Sequence, residues 1–156
     1  MSIVKDFNEI TQYLKKKWEK EKSISFIVDG ANILYNNKRI KFNFMRFSVL
    51  VKYLEKLTNK IFIILPEYFE IRFKDSRILQ NLKNSGRIFY TPSNWNDDYF
   101  ILDFAEKFEA FVISNDKYKE FYKDFPILTQ KKILPFSIIE INEEIQISIP
   151  SLSLLF

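Results

Sequence analysis

The sequence predicts an α/β fold, a doubly wound and mainly parallel sheet with helices on both faces. Two observations carry that reading. Short apolar runs of strand character alternate with segments of helical spacing, the pattern that builds a parallel sheet covered on both sides. The runs Ser23–Val28 and Lys60–Leu65 are brief, apolar and closed by turn residues, as buried strands are. Right-handed crossovers then make the sheet doubly wound. A composition 47% hydrophobic over 156 residues suffices for the core of one domain, and 2 Gly with 5 Pro imply short loops.

The elements follow in order. Residues 1–22 place Phe7, Ile10, Tyr13, Leu14 and Trp18 near helical spacing, which predicts an amphipathic N-terminal helix carrying Lys15, Lys16 and Lys17. The catalytic core is expected over 23–150, within a single domain spanning 1–156. Ser23–Val28 is the first strand and stops in a turn at Asp29-Gly30. Phe44–Leu57 fits a helix, and Lys60–Leu65 is a second strand ended by Pro66. Residues 75–84 read as a helix closed by Gly86, before a third strand over Arg87–Tyr90. Asp97–Phe108 is a helix with apolar Phe100, Ile101, Phe104, Ala105 and Phe108. Ala110–Ser114 is a fourth strand, followed by a short helix near Lys117–Tyr122. Lys132–Ile139 is expected as a fifth strand and Ile145–Ile149 as a sixth.

The absent residue types constrain chemistry. With no Cys there is no disulfide and no thiolate zinc site. With no His there is no Ser-His-Asp or Cys-His machinery, so a hydrolytic site must use carboxylates, Lys, Tyr or a metal. The apolar tail Ile145–Phe156 is too short to span a bilayer and is interrupted by Ser and Pro. Early Lys5, Asp6 and Glu9 do not resemble a secretory signal, so a cytoplasmic protein is expected.

Net charge is +4, unevenly laid out. Lys38, Arg39, Lys41, Arg46, Lys52, Lys56 and Lys60 stand against Glu55 alone between positions 38 and 60, whereas eight acids outnumber four lysines over 96–125. This layout suits a polyanion gripped by one region and processed in another, although Lys-rich helix faces are often merely solvated.

The position of the acids is more telling. Asp29 ends the first strand, Asp97 and Asp98 open the helix after the third, and Asp116 follows the fourth. The C-terminal ends of parallel strands share one edge, where ligands bind. Singly, each aspartate has a structural reading: a turn at Asp29-Gly30, first-turn acids behind an Asn96 cap, a cap at Asn115-Asp116. Together they put four carboxylates on one rim. Close carboxylates repel and need protons or cations, and oxygen-only ligands suit Mg²⁺ or Mn²⁺. Such ions activate water for attack on a phosphodiester.

Three segments, FIVDGANI (26–33), IFYTPSNWNDDYFILDFAEKFEAFVISND (88–116) and KYKEF (117–121), resemble the NYN branch of the PIN-like nucleases. They are similar to Regnase-type RNase domains and to the nuclease domain of protein-only RNase P, over roughly residues 24–150. The resemblance implies a PIN-like fold and a metal-dependent endoribonuclease whose metal-binding, catalytic residues are Asp29, Asp97, Asp98 and Asp116. It matches Asn32 to an asparagine of the first loop and puts Lys119-Glu120 where the family usually has Arg-Asp, a change that keeps charge but loses the guanidinium fork. The CCCH finger of the Regnase type and the Cys/His zinc site of protein-only RNase P have no counterpart, since Cys and His are lacking.

The expected substrate is RNA, with precursor-tRNA 5′ maturation or RNA decay as roles. Lys38, Arg39, Lys41 and Arg46 are the first candidates for RNA contact, and Arg72, Lys74 and Arg77 the second. Trp95, Tyr35 and Tyr99 flank the acidic motifs and are candidates for base stacking or simply for packing. A homo-oligomer is a further expectation. The alternatives are a non-catalytic RNA-binding module with a degenerate site, for which the changed Lys119-Glu120 pair argues, and a toxin-like PIN RNase.

Overall fold

The computed structural model of the chain describes residues 9–12, 24–35, 43–129 and 131–155. Five parallel strands form the central sheet: β1 (Ser25–Asp29), β2 (Lys60–Pro66), β3 (Ile88–Thr91), β4 (Phe111–Ile113) and β5 (Ile133–Leu134). Their spatial order is β3-β2-β1-β4-β5, so the order reverses at β1 and a switch point lies between β1 and β4.

Successive residues of a strand face opposite sides of a sheet, and here both sides are covered. Phe26 and Val28 of β1, with Ile61, Ile63 and Leu65 of β2, enter one apolar cluster. Ile27 and Ile64 enter the other, with Val112 of β4. That two-sided burial explains why these strands read as unbroken apolar runs.

The first cluster is closed by α2 (Met45–Glu55), through Phe47, Leu50, Val51 and Leu54, and by α4 (Arg77–Asn84), through Leu79 and Leu82. The second is closed by α5 (Asp97–Lys107), through Ile101, Leu102 and Ala105. Ser76 caps α4 by accepting from the Leu79 N–H at 3.3 Å, and Gly86 ends it at φ 73°, a left-handed turn that glycine adopts without strain.

Two short helices were not expected from the sequence. Asp29-Gly30 does not end in a simple turn: Gly30–Leu34 form α1. A Cβ on Gly30 would stand 2.6 Å from the Ile64 carbonyl oxygen and 2.7 Å from Leu65 Cδ2, so glycine is needed because the helix start lies against β2. Tyr68–Arg72 form α3, directly after β2.

The strand expected over Lys132–Ile139 is two strands. β5 ends at Leu134, because Pro135 has no N–H to donate. Beyond it, β6 (Ser137–Ile141) pairs antiparallel with β7 (Glu144–Ser148) as a separate hairpin. Asn142 and Glu143 at φ 51° and 67° make its two-residue turn. Ile138 and Ile147 seat the hairpin on the first cluster, followed by α6 (Ser151–Leu155). The short helix expected near Lys117–Tyr122 is a 3₁₀ turn, Lys119–Phe121, and another covers Pro126–Thr129. Residues 9–12 of the expected N-terminal helix are helical, and the rest of it lies outside the described residues.

Candidate active site

Asp29 leaves β1 at the C-terminal edge of the sheet and is only 6% exposed. Its Oδ1 accepts from the Asn32 N–H at 3.2 Å, capping α1. Its Oδ2 accepts from Ser114 Oγ at 3.0 Å and from the Tyr118 hydroxyl at 2.7 Å. Burial raises the Asp29 pKa; the bonds from Tyr118, Asn32 and Ser114 oppose that rise, while the charge of Asp116 adds to it.

The loop after β4 is built around this contact. Ser114 Oγ also accepts from the Asp116 N–H at 3.0 Å, and Asp116 Oδ1 accepts from the Tyr118 N–H at 2.7 Å. Tyr118 is held at φ 50° and ψ 41°, the left-handed region, which turns its ring inward to 1% exposure beneath Asp29. A non-glycine residue there is strained by roughly 1–2 kcal/mol. Asn32 and Asn115 fasten the loop to its neighbours. The Asn115 N–H donates to Asn32 Oδ1 at 2.9 Å. The Asn115 side chain meets both backbone groups of Phe136, accepting at 2.9 Å and donating at 3.1 Å, where Pro135 has ended the ladder.

Asp97 and Asp98 open α5, capped by Asn96, whose Oδ1 accepts from the Tyr99 N–H at 3.1 Å. Thr91, at the end of β3, donates its hydroxyl to Asp97 Oδ1. The Asp98 carboxyl is pushed up to about 6, first by burial and then by repulsion from Asp29, Asp116, Glu120 and Asp97. The carboxylates of three separate segments thus share one electrostatic neighbourhood, and Glu120 belongs to it.

Among the described residues the ion pairs join Arg46–Glu140, Lys83–Glu70, Arg87–Glu55 and Lys107–Asp103, so the rim aspartates have no cationic side chain against them. Nor, among the described residues, do three carboxylates close into a ready-made metal cage. The donor set is still the one a hard divalent cation takes: oxygen only, negative and mutually repelling.

The residues expected to contact RNA fare differently. Lys38, Arg39 and Lys41 lie outside the described residues. Arg46 corrects the sequence reading: it is 6% exposed, donates to the Ile33 carbonyl at 2.8 Å and pairs with Glu140 at 2.5 Å. Its fork ties α1 and the hairpin to α2, a structural role. Trp95 is 59% exposed and leans on Phe100, while Tyr99 meets Phe125 edge-on. Lys119 and Glu120 are exposed on the 3₁₀ turn beside Tyr118.

The family model of the Zc3h12a-like ribonuclease NYN domain matches residues 22–146. The chain belongs to this family. The NYN domain is 27% identical, over 133 residues, to the endoribonuclease rege-1 of Caenorhabditis elegans; the match takes in 73% of this chain and 21% of that protein. It is also similar in fold to nuclear proteinaceous RNase P 2 of Arabidopsis thaliana. One crystal structure of that protein aligns with a TM-score of 0.66 at 21% identity, over 92% of this chain and 32% of the other. A second structure of it gives 0.64 at 23%, over 93% and 33%. The NYN domain therefore spans about a fifth of the length of the first relative and a third of the second.

Sequence reasoning missed Tyr118, Ser114 and Thr91, the hydroxyls that hold the acids. The sequence does offer one signal for Tyr118, the single aromatic within the charged run DKYKE.

Proposed function

We propose that this NYN domain is a divalent-metal-dependent endoribonuclease, with Asp29, Asp97, Asp98 and Asp116 holding Mg²⁺ or Mn²⁺. The observation that carries this reading is the gathering of acids from three segments at one sheet edge, where burial first and then the charges of Asp29, Asp116, Glu120 and Asp97 raise the Asp98 pKa, and no ion pair among the described residues balances them. When bound, the ion supplies Lewis acidity to a water and to the phosphodiester. The chain supplies the rest. Tyr118 and Ser114 fix Asp29 in one orientation, Thr91 fixes Asp97, and Asn32 locks the first loop to the Asp116 loop. With no histidine to shuttle protons, hydrolysis by water leaving a 3′-hydroxyl and a 5′-phosphate is favoured over attack by the RNA's own 2′-hydroxyl. Glu120 retains the acid at the position where the family has Asp and adds its charge to the same neighbourhood, which supports a working site over a degenerate one.

The relatives' names, an endoribonuclease and an RNase P, set the substrates to try: an unstructured strand and a precursor tRNA. Labelled versions of both are incubated with Mg²⁺, with Mn²⁺ and with EDTA, beside Asp29→Asn. Metal-dependent cutting lost in the variant is the expected result, and the preferred RNA separates decay from tRNA 5′ maturation. Cutting that survives in EDTA, or in Asp29→Asn, overturns the assignment.

A further inference from the structure

Beside the acids, the rim carries two exposed tyrosines that nothing in the proposed chemistry uses. Tyr35 follows α1 and Tyr68 opens α3, so they come from the C-terminal ends of β1 and β2. They are 48% and 45% exposed, and their hydroxyls lie 3.2 Å apart. The Tyr68 ring is stacked on the buried ring of Phe69, with centroids 4.5 Å apart, which gives it a rigid backing.

The pair is adjacent to the acids by a short chain of bonds. The Glu67 N–H, one residue before Tyr68, donates to the Thr91 carbonyl at 3.0 Å, and the Thr91 hydroxyl holds Asp97. Glu67 Oε2 also accepts from the Ser93 N–H at 3.1 Å, joining this corner to the loop that leads to Asp97. The Asp97 charge accordingly reaches Tyr68, whose pKa is raised to about 12 by burial first, then by Tyr35 and Asp97. Arg72, exposed, lies one helical turn from Tyr68 with its guanidinium 5.3 Å from the Phe73 ring centroid, and its charge is felt at Tyr68; Lys74 and Arg77, also exposed, follow along the chain.

This corner of the rim therefore brings an acid, aromatic rings and a cation together. A nucleic-acid strand uses the same three kinds of group: a phosphodiester at the acids, a base face on the rings and a neighbouring phosphate on a basic side chain. A duplex keeps its base faces covered except at its ends, so exposed rings favour an unpaired base. We propose that Tyr35 and Tyr68 form a stacking subsite for one unpaired RNA base beside the scissile phosphodiester, with Arg72 holding the adjoining phosphate. The subsite rests on the endoribonuclease reading and adds to it a preference for single-stranded RNA. Two rings linked by their hydroxyls are already positioned, so little side-chain freedom is lost on binding.

Binding tests the subsite independently of cleavage. A short single-stranded RNA carrying 2-aminopurine, and its duplex with a complementary strand, are titrated with the full chain in EDTA, where nothing is cut on the proposed mechanism. Tyr68→Ala and Tyr35→Ala are each expected to weaken single-strand binding by about 5- to 100-fold, the range for loss of one stacked base. Tyr68→Phe keeps the ring and is expected to bind within about twofold of wild type. Duplex binding is expected to stay unchanged in all three. Both exposed positions are tested separately, so misfolding of one variant, seen by circular dichroism, leaves the other decisive. If both alanine variants bind the single strand as wild type does, or lose duplex binding equally, the subsite is wrong. In that case a wild type that still cuts RNA with Mg²⁺ keeps the nuclease reading, and one that neither binds nor cuts any RNA removes both.

Discussion

Asp98→Asn should stabilise the protein in EDTA while lowering its RNA cleavage by orders of magnitude. The carboxyl is raised from its ordinary 3.8 to about 6, by burial and by four neighbouring acids. Two units correspond to ~3 kcal/mol of preference for the uncharged form. Because the side chain is only half-buried, solvent screening leaves about 1.5 kcal/mol of that. The sign follows from linkage. Below pH ~4 both folded and unfolded states hold the proton, and the charge costs nothing. As pH rises through about 6 the folded state must give up its proton against its neighbours, and the stability present at low pH is lost. Asparagine carries no such charge, so the variant's advantage should be absent near pH 4 and complete above pH ~6.5. For a chain of 156 residues this is a rise in Tm of roughly 3–6 °C at pH 7 without metal. Thermal melts at pH 4, 5.5 and 7 in EDTA read it directly, alongside RNA cleavage in Mg²⁺, which should fall by about 10²–10³-fold. An equal gain at every pH would show that charge is not the cause, and a less stable variant at pH 7 would refute the electrostatic account of the rim.

Other substitutions probe the supports of the site. Gly30→Ala sets a methyl 2.6 Å from the Ile64 carbonyl oxygen, which the sheet holds in place, so unfolding in urea should show a loss of about 1–3 kcal/mol. Tyr118→Phe removes the 2.7 Å bond to Asp29, a loss of ~1.5–3 kcal/mol. That bond holds the Asp29 pKa down, so without it the acid limb of the pH–rate profile should move to higher pH; an unmoved limb would deny Tyr118 its positioning role. Arg46→Ala should destabilise by about 2 kcal/mol through loss of its ties to Ile33 and Glu140. The salt dependence of RNA binding should remain as in wild type, whereas removal of a phosphate contact would lower its slope by about 1.

The sheet was legible in the sequence because its strands are covered on both faces. Phe26, Ile27 and Val28 alternate between two cores, so all three had to be apolar, and the run stands out. The short helices were not legible. Five residues hold less than two turns of periodicity, and α1 exists through the Asp29 cap and the close approach at Gly30, both of which involve the rest of the fold. The C-terminal region misled for the opposite reason. Ile133, Leu134, Ile138 and Ile139 make one continuous apolar signal, and only Pro135 marks that the chain leaves one sheet and starts another.

In the candidate site, the aspartates were visible because acids at the ends of buried strands are conspicuous, whereas the hydroxyls that hold them were not. Tyr118 and Ser114 are unremarkable residue types until the fold brings them to Asp29 across 89 and 85 positions. Their distribution then separates two kinds of carboxylate. Asp29, nearly buried, takes three donors from the protein, which oppose but do not cancel the rise that burial gives its pKa. The Asp98 shift, by contrast, comes from burial first and then like charges, and among the described residues no hydrogen bond to its carboxylate offsets them. On the proposed reading, a cation at this rim relieves the repulsion at Asp98, with Asp29 as a fixed neighbour. The strain at Tyr118 is consistent with that division: the chain accepts a left-handed backbone at one residue and so brings a hydroxyl onto its most buried acid.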